Sequence, residues 1–286
     1  MTALLKFHGG KTYVAGAVLK IMPRHLSYVE PFAGGLQVLF ARDPADRRLW
    51  WAEHPGRLTG VSEVVNDKDS HLANLYEVVR SDRFGDFHRM AELTLFSEAE
   101  YRRAERVVAN KGDGDAVRWA WGYFVLVRQS YAGTKKGFAA VSKSRTRGRK
   151  NEQVNAWLGA VDDLPAIHER LRDVLVLNRD ALEVIADYDR PDALIYCDPP
   201  YPAGTRTAPD MYDHEMTDEG HKQLLDVITR VKSRVIVSSN PNAMYDDALT
   251  GWSRHAIDLA NHSAGGRAKQ RRQEVLWWNY PHAPPP

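Results

Sequence analysis

The chain has 286 residues, 43% of them hydrophobic and 27% charged, enough to bury one large core or one core with an inserted subdomain. A formal net charge of +2 does not mark a polyanion binder by itself, so the placement of positive charge matters more than its sum. The lone cysteine, Cys197, excludes a disulfide framework and a cysteine-based zinc site, and no apolar run approaches the roughly 20 residues of a membrane span. Residues 1–7 turn polar too soon for a signal sequence, so the expectation is a soluble, cytoplasmic protein.

Phe7-His8-Gly9-Gly10-Lys11 leads into a helix predicted over residues 12–26, where Val14, Ala17, Val18 and Ile21 recur at helical spacing before Pro23. Such a turn points backbone N–H groups and a lysine at any docked anion. Residues 27–31 predict a short strand, and Phe32-Ala33-Gly34-Gly35 turns it into a helix over 36–42. Glycine there lets the main chain approach a ligand where a Cβ collides. After a surface loop over 43–60, residues 61–67 predict a second strand ending at Asp67, for which a helix N-cap is the structural alternative. From 68 to about 170 the apolar spacing is helical, as in Leu72, Leu75, Tyr76 and Val79, and describes a mostly helical insertion. Inside it Lys135, Lys136, Lys143, Arg145, Arg147, Arg149 and Lys150 occur with no acid among them, which suits either a solvated flexible loop or a phosphate contact.

A helix over 164–172 precedes a third strand over 174–178, and Asp180 follows as a candidate N-cap. The fourth strand, 193–197, is an apolar run that stops at Asp198-Pro199-Pro200-Tyr201, because two prolines cannot continue a ladder. Ligands of open α/β sheets bind at the carboxyl ends of strands. An acceptor carboxylate, a free prolyl carbonyl and an aromatic face gathered there suit a planar base with an exocyclic amine. The amine donates to Asp198 and to the Pro199 carbonyl while Tyr201 stacks on the ring. Residues 202–218 read as a mobile loop able to close over that base, and Thr217 or Asp218 opens the next helix. A fifth strand over 234–240 ends in Ser238-Ser239-Asn240, side chains suited to steadying a pocket wall. Residues 255–259 and 274–279 predict a final antiparallel pair around a second basic loop with Arg267, Lys269, Arg271 and Arg272, and a proline-rich tail closes the chain. Glu30, Asp67, Asp180 and Asp198 thus each follow a strand, a pattern that fits a nucleoside-sized cofactor.

Gly9-Gly10-Lys11, Glu30-Pro31-Phe32-Ala33-Gly34-Gly35, Arg128-Gln129-Ser130-Tyr131-Ala132-Gly133 and Asp198-Pro199-Pro200-Tyr201, in that order, resemble the Dam-like DNA adenine-N6 methyltransferases. The nine-residue step from Asp67 to Tyr76 is similar too, whereas the family's Phe-x-Gly-x-Gly is met only as Phe32-x-Gly34-Gly35-Leu36. The resemblance implies an α/β, Rossmann-like sheet, mostly parallel with an antiparallel C-terminal strand, formed by residues 1–67 and 168–280. It implies a helical target-recognition insertion over 68–167 and a flexible tail over 281–286. It also implies S-adenosylmethionine as cofactor, with Phe7, Gly10, Lys11, Glu30, Phe32, Gly34, Asp67, Asp180 and Asp198 around it. Lys11 and its turn would meet the methionine carboxylate, Asp67 the ribose hydroxyls and Asp180 the adenine amine. Asp198, Pro199, Pro200 and Tyr201 would carry direct transfer to the N6 of an adenine flipped from double-stranded DNA, with no metal. DNA contacts would fall on Lys6, Arg128, Tyr131, Lys135, Lys136, Lys143, Arg145, Arg147, Arg149, Lys150, Arg267 and Arg271, with Tyr131 filling the gap left in the stack. A monomer is expected. The competing readings are an N4-cytosine or RNA amino-methyltransferase, and a catalytically silent DNA-binding module.

Overall fold

In the computed structural model, residues 4–5, 12–46, 48, 60–139, 145–202, 204, 215–260 and 271–281 are described. In chain order the elements begin with α1 (Thr12–Ile21), β1 (Ser27–Glu30), α2 (Gln37–Ala41), β2 (Ser62–Asn66), α3 (Ser70–Arg80), α4 (Phe84–Glu92), α5 (Glu98–Ala109) and α6 (Ala116–Arg128). They continue with β3 (Thr146–Arg147), β4 (Lys150–Asn151), α7 (Glu152–Asp162), α8 (Leu164–Leu171), β5 (Val174–Leu177), α9 (Ala181–Asp187) and β6 (Ala193–Cys197). Last come α10 (Asp218–Ile228), β7 (Arg234–Ser239), α11 (Ala243–Ala248), β8 (Ser253–Ala260) and β9 (Arg271–Trp278).

Seven strands form one sheet in the order β5-β2-β1-β6-β7-β9-β8. Strand β1 pairs in parallel with β2 and β6, β6 pairs in parallel with β7, and β9 runs antiparallel to both β7 and β8. Every residue of β6 is buried, as the continuous apolar run Ala193–Cys197 requires of a parallel strand covered on both faces. The chain builds outward from β1 on one side and later outward from β6 on the other, so strand order reverses between them. A crevice outside the carboxyl ends of the strands at such a reversal is where open α/β sheets bind ligands.

Where the elements differ from the sequence reading, local chemistry explains it. Helix α2 begins one residue later than predicted because Leu36 adopts a left-handed φ of 54°. Thr217 is the cap of α10 and Asp218 its first residue, the Thr217 side chain accepting from the Gly220 amide. The basic stretch before α7 contains a hairpin rather than only loop: β3 and β4 pair antiparallel around Gly148 and Arg149, at φ 58° and 61°. Positive φ at both turn residues gives the tight two-residue connection that matches strand twist.

The described residues group into two compact units, one of Met1–Gly10, Gly34–Phe40 and Asp69–Asn178, the other of Lys11–Ala33, Ala41–Lys68 and Arg179–Pro286. In the first, α6 is buried on nearly every side and serves as the central helix. Its Trp121 donates to the Thr94 hydroxyl at 2.8 Å, and Trp157 of α7 donates to the Thr94 carbonyl at 3.0 Å, so both indoles are satisfied inside the core. The second unit holds β1, β2, β6, β7, β8 and β9 with α1, α9, α10 and α11. No helix of the described residues is long and apolar enough to cross a membrane.

Candidate active site

The pairing of β6 with β7 sets Tyr196 opposite Ile236 and Cys197 opposite Val237, so the next residues along, Asp198 and Ser238, lie level with each other. Ser238 Oγ donates to Asp198 Oδ1 at 3.0 Å. With its own proton committed, that hydroxyl accepts from the buried Tyr196 hydroxyl at 2.9 Å. The half-buried Asp198 carboxylate is therefore aimed by a relay that begins inside the sheet. Burial pushes the Cys197 thiol well above its ordinary range, and the neighbouring Asp198 charge adds to this, so the chain's one cysteine is an inert packing residue. Beyond the two prolines Tyr201 turns back into the protein, and its hydroxyl donates to Glu274 of β9 at 2.6 Å.

At the end of β1, Glu30 is 2% exposed and accepts from the Tyr28 hydroxyl at 2.6 Å. Burial holds the Tyr28 phenol far above its usual pKa, and the Glu30 charge raises it further, so Tyr28 stays a donor. At the end of β2, Asn66 is fully buried and joins three strand-end turns. Its Nδ2 donates to the Pro31 carbonyl at 2.9 Å and the Arg179 carbonyl at 3.1 Å, while its Oδ1 accepts from the Arg179 amide at 2.9 Å. Its own carbonyl takes the Ala33 amide at 2.8 Å. Asp67 follows directly and is half-exposed. It does not cap α3, as the structural alternative has it: Asp69 does, accepting from the His71 amide at 2.8 Å, because the helix starts only at Ser70. Asp180 caps α9 through the Leu182 amide at 2.9 Å and keeps an exposed carboxylate with Lys68 at 3.7 Å.

In the first unit, Gly34 has φ 47° and its carbonyl accepts from the Tyr76 hydroxyl, which ties the glycine turn to α3. Leu36, which stands where a glycine would complete Phe-x-Gly-x-Gly, takes a left-handed conformation at a cost of about 1 kcal/mol in backbone strain. Tyr131 is 72% exposed. Lys135 and Lys136 sit on a tight loop whose Lys135 carbonyl and Gly137 amide both bond the Tyr101 hydroxyl, at 2.8 and 3.0 Å. Arg145, Arg147, Arg149 and Lys150 are all exposed on the hairpin. Arg128 is buried where an exposed cation was expected: it is 7% exposed and its Nε donates to the Leu4 carbonyl at 2.8 Å. Burial brings its pKa down to about 10, partly offset by Asp163, so it is a charged internal tether. Lys6, Phe7, Gly10, Lys11, Lys143 and Arg267 lie outside the described residues, as does the 205–214 stretch of the expected closing loop, and Arg271 is described only as the first residue of β9.

Tyr196, Asn66 and Glu274 are the residues that sequence reasoning missed. Signals existed: a tyrosine hydroxyl inside an otherwise apolar strand, an asparagine directly before a strand-end acid, and a glutamate opening the apolar run Val275–Trp278. Each is costly to bury without a partner.

A family model described as D12 class N6 adenine-specific DNA methyltransferase matches residues 7–259. A similar protein is the type II methyltransferase M.MjaIII of Methanocaldococcus jannaschii, 26% identical over 225 residues, which are 71% of this chain and 70% of that protein.

Proposed function

The chain belongs to the D12 class N6 adenine-specific DNA methyltransferases, and on that premise we propose that it takes the methyl from S-adenosylmethionine and places it on an adenine turned out of double-stranded DNA. The observation that carries this is the Asp198–Tyr201 turn at the strand-order reversal, with its carboxylate aimed by Ser238 and Tyr196. Bound S-adenosylmethionine supplies an activated methyl on a sulfonium. The residues suit such a group. Asp67 is a half-exposed acceptor for two ribose hydroxyls, Asp180 keeps carboxylate surface for an adenine amine, and no atom of the described residues lies within 4 Å of where a Gly34 Cβ would stand. Glu30 and Phe32 complete the proposed set, with Lys11 and its turn for the carboxylate end.

An aromatic exocyclic amine is a weak nucleophile because its lone pair conjugates with the ring. Asp198 and the Pro199 carbonyl would each accept a hydrogen bond from it, favouring a tetrahedral nitrogen and stabilising the positive charge that would grow as the N–C bond formed and the S–C bond broke to leave a neutral thioether, the surplus amine proton then passing to water. The Tyr201 ring stacks on the extruded base and offsets the few kcal/mol of unstacking. Residues 68–167 are proposed to carry target recognition, with Tyr131 and the hairpin cations against DNA, and residues 1–67 and 168–280 the chemistry.

The test is incubation with radiolabelled S-adenosylmethionine and unmethylated duplex DNA, followed by nucleoside analysis. Label in N6-methyladenine is expected. Label in N4-methylcytosine, or in RNA offered alongside, would replace the substrate assignment, and the absence of both transfer and detectable donor binding would leave a catalytically silent DNA-binding module.

A further inference from the structure

The aromatic ring of the catalytic turn is fixed by a residue from the far end of the chain. Strand β9 buries Val275, Leu276, Trp277 and Trp278, and Glu274 stands at the head of that run only 4% exposed. A carboxylate in such a place is tolerated only when hydrogen-bonded. Its place follows from the sheet: β9 pairs antiparallel with β7, Val275 lies opposite Ser239, and Glu274 therefore comes just beyond the carboxyl end of β7. From there it accepts the hydroxyl of Tyr201, itself 6% exposed, at 2.6 Å. A phenol donating to a carboxylate at this length is a charge-assisted bond, and it pins the tip of the ring opposite to where the backbone holds its base.

We propose that Glu274 is a positioning residue for methyl transfer, holding the Tyr201 ring at the angle on which the extruded adenine stacks. This rests on the reading of Asp198–Tyr201 as the base pocket. Donor binding does not depend on the angle of that ring, so the effect falls on DNA turnover alone. Glu274→Leu removes the acceptor without leaving a buried charge, and Tyr201→Phe removes the donor while keeping the ring. Glu274→Gln keeps an accepting oxygen.

Steady-state transfer to duplex DNA and donor affinity by calorimetry are measured for the unaltered protein and these variants. Glu274→Leu and Tyr201→Phe are each expected to lower kcat/KM for DNA about 10-fold, of the order that ring stacking contributes per base, with donor affinity within about 2-fold. The double variant falls no further than either single one, and Glu274→Gln recovers most of the loss. Losses that multiply in the double variant, an equal loss of donor affinity, or full turnover by Glu274→Leu overturn the proposal. If Glu274→Leu does not fold, Tyr201→Phe decides: unchanged kcat/KM for DNA overturns it. Absence of transfer by the unaltered protein overturns the underlying reading instead.

Discussion

The turn after β6 and the hairpin before α7 carry the two halves of the proposed reaction and are built in opposite ways. Around Asp198 and Tyr201 polar side chains are locked by partners that strand register supplies, Ser238 and Tyr196 on one and Glu274 on the other. On the hairpin the cations stand in solvent, and Arg145 leans on Glu152 only at 3.5 Å, an exposed pair of small energetic weight. The difference matches what the proposed reaction would ask of each. Directing a lone pair needs rotamers locked by packing and second-layer hydrogen bonds. Gripping a polyanion through counterion release needs only charge within reach.

The largest effect expected is at the locked end. Asp198→Ala should lower kcat by about 100- to 10,000-fold while donor affinity changes only a few-fold, read by transfer kinetics and calorimetry; turnover near the unaltered rate removes Asp198 from the chemistry. Next comes the exposed end. Replacing Arg145, Arg147, Arg149 and Lys150 with Gln should flatten the slope of log affinity against log salt by up to about 3.6, since each phosphate contact contributes about 0.9. An unchanged slope would return the hairpin to a solvated surface.

Two smaller effects sharpen the contrast. Ser238→Ala removes the hydroxyl that aims Asp198 and leaves the carboxylate in place, so kcat should fall about 10- to 30-fold, and Ser238→Thr should restore most of it; equal rates for all three proteins would make the relay ornamental. His25 reports on the sheet-bearing unit alone. Its pKa is lowered to about 3, first by burial and then by the Arg42 cation, while its Nδ1 bonds the Pro23 carbonyl at 2.7 Å. The folded value lies below the ordinary 6.5, so the unfolded chain takes up the proton more readily. The stability tied to neutral His25 is complete above pH 6.5 and is lost as pH falls toward 3, about 1.4 kcal/mol being gone by pH 5.5. Denaturant melts of His25→Gln should show a shallower acid decline than the unaltered protein; identical declines would mean another group governs it.

Much of the fold was legible because buried parallel strands are continuous apolar runs, and the abrupt stop of Ala193–Cys197 at an acid and two prolines marked the end of β6, where the proposed base pocket lies, from local chemistry alone. What was not legible depends on register between distant segments. Nothing near Ser238 in the sequence says that it lies level with Asp198, and the link between Tyr201 and Glu274 spans 73 positions. Arg128 misled for a related reason: a basic residue beside an exposed tyrosine reads as surface, yet it ends a helix buried on nearly every side. Leu36 shows the reverse limit, since a leucine there takes the left-handed backbone that a glycine would adopt more easily.

Single-turnover methyl transfer with enzyme saturated in both donor and duplex DNA separates chemistry from grip most directly. The hairpin variant should give a rate constant within about 3-fold of the unaltered protein, and Asp198→Ala a fall of about 100-fold or more. A hairpin variant as slow as Asp198→Ala, or an Asp198→Ala protein that transfers at the unaltered rate, would contradict that division.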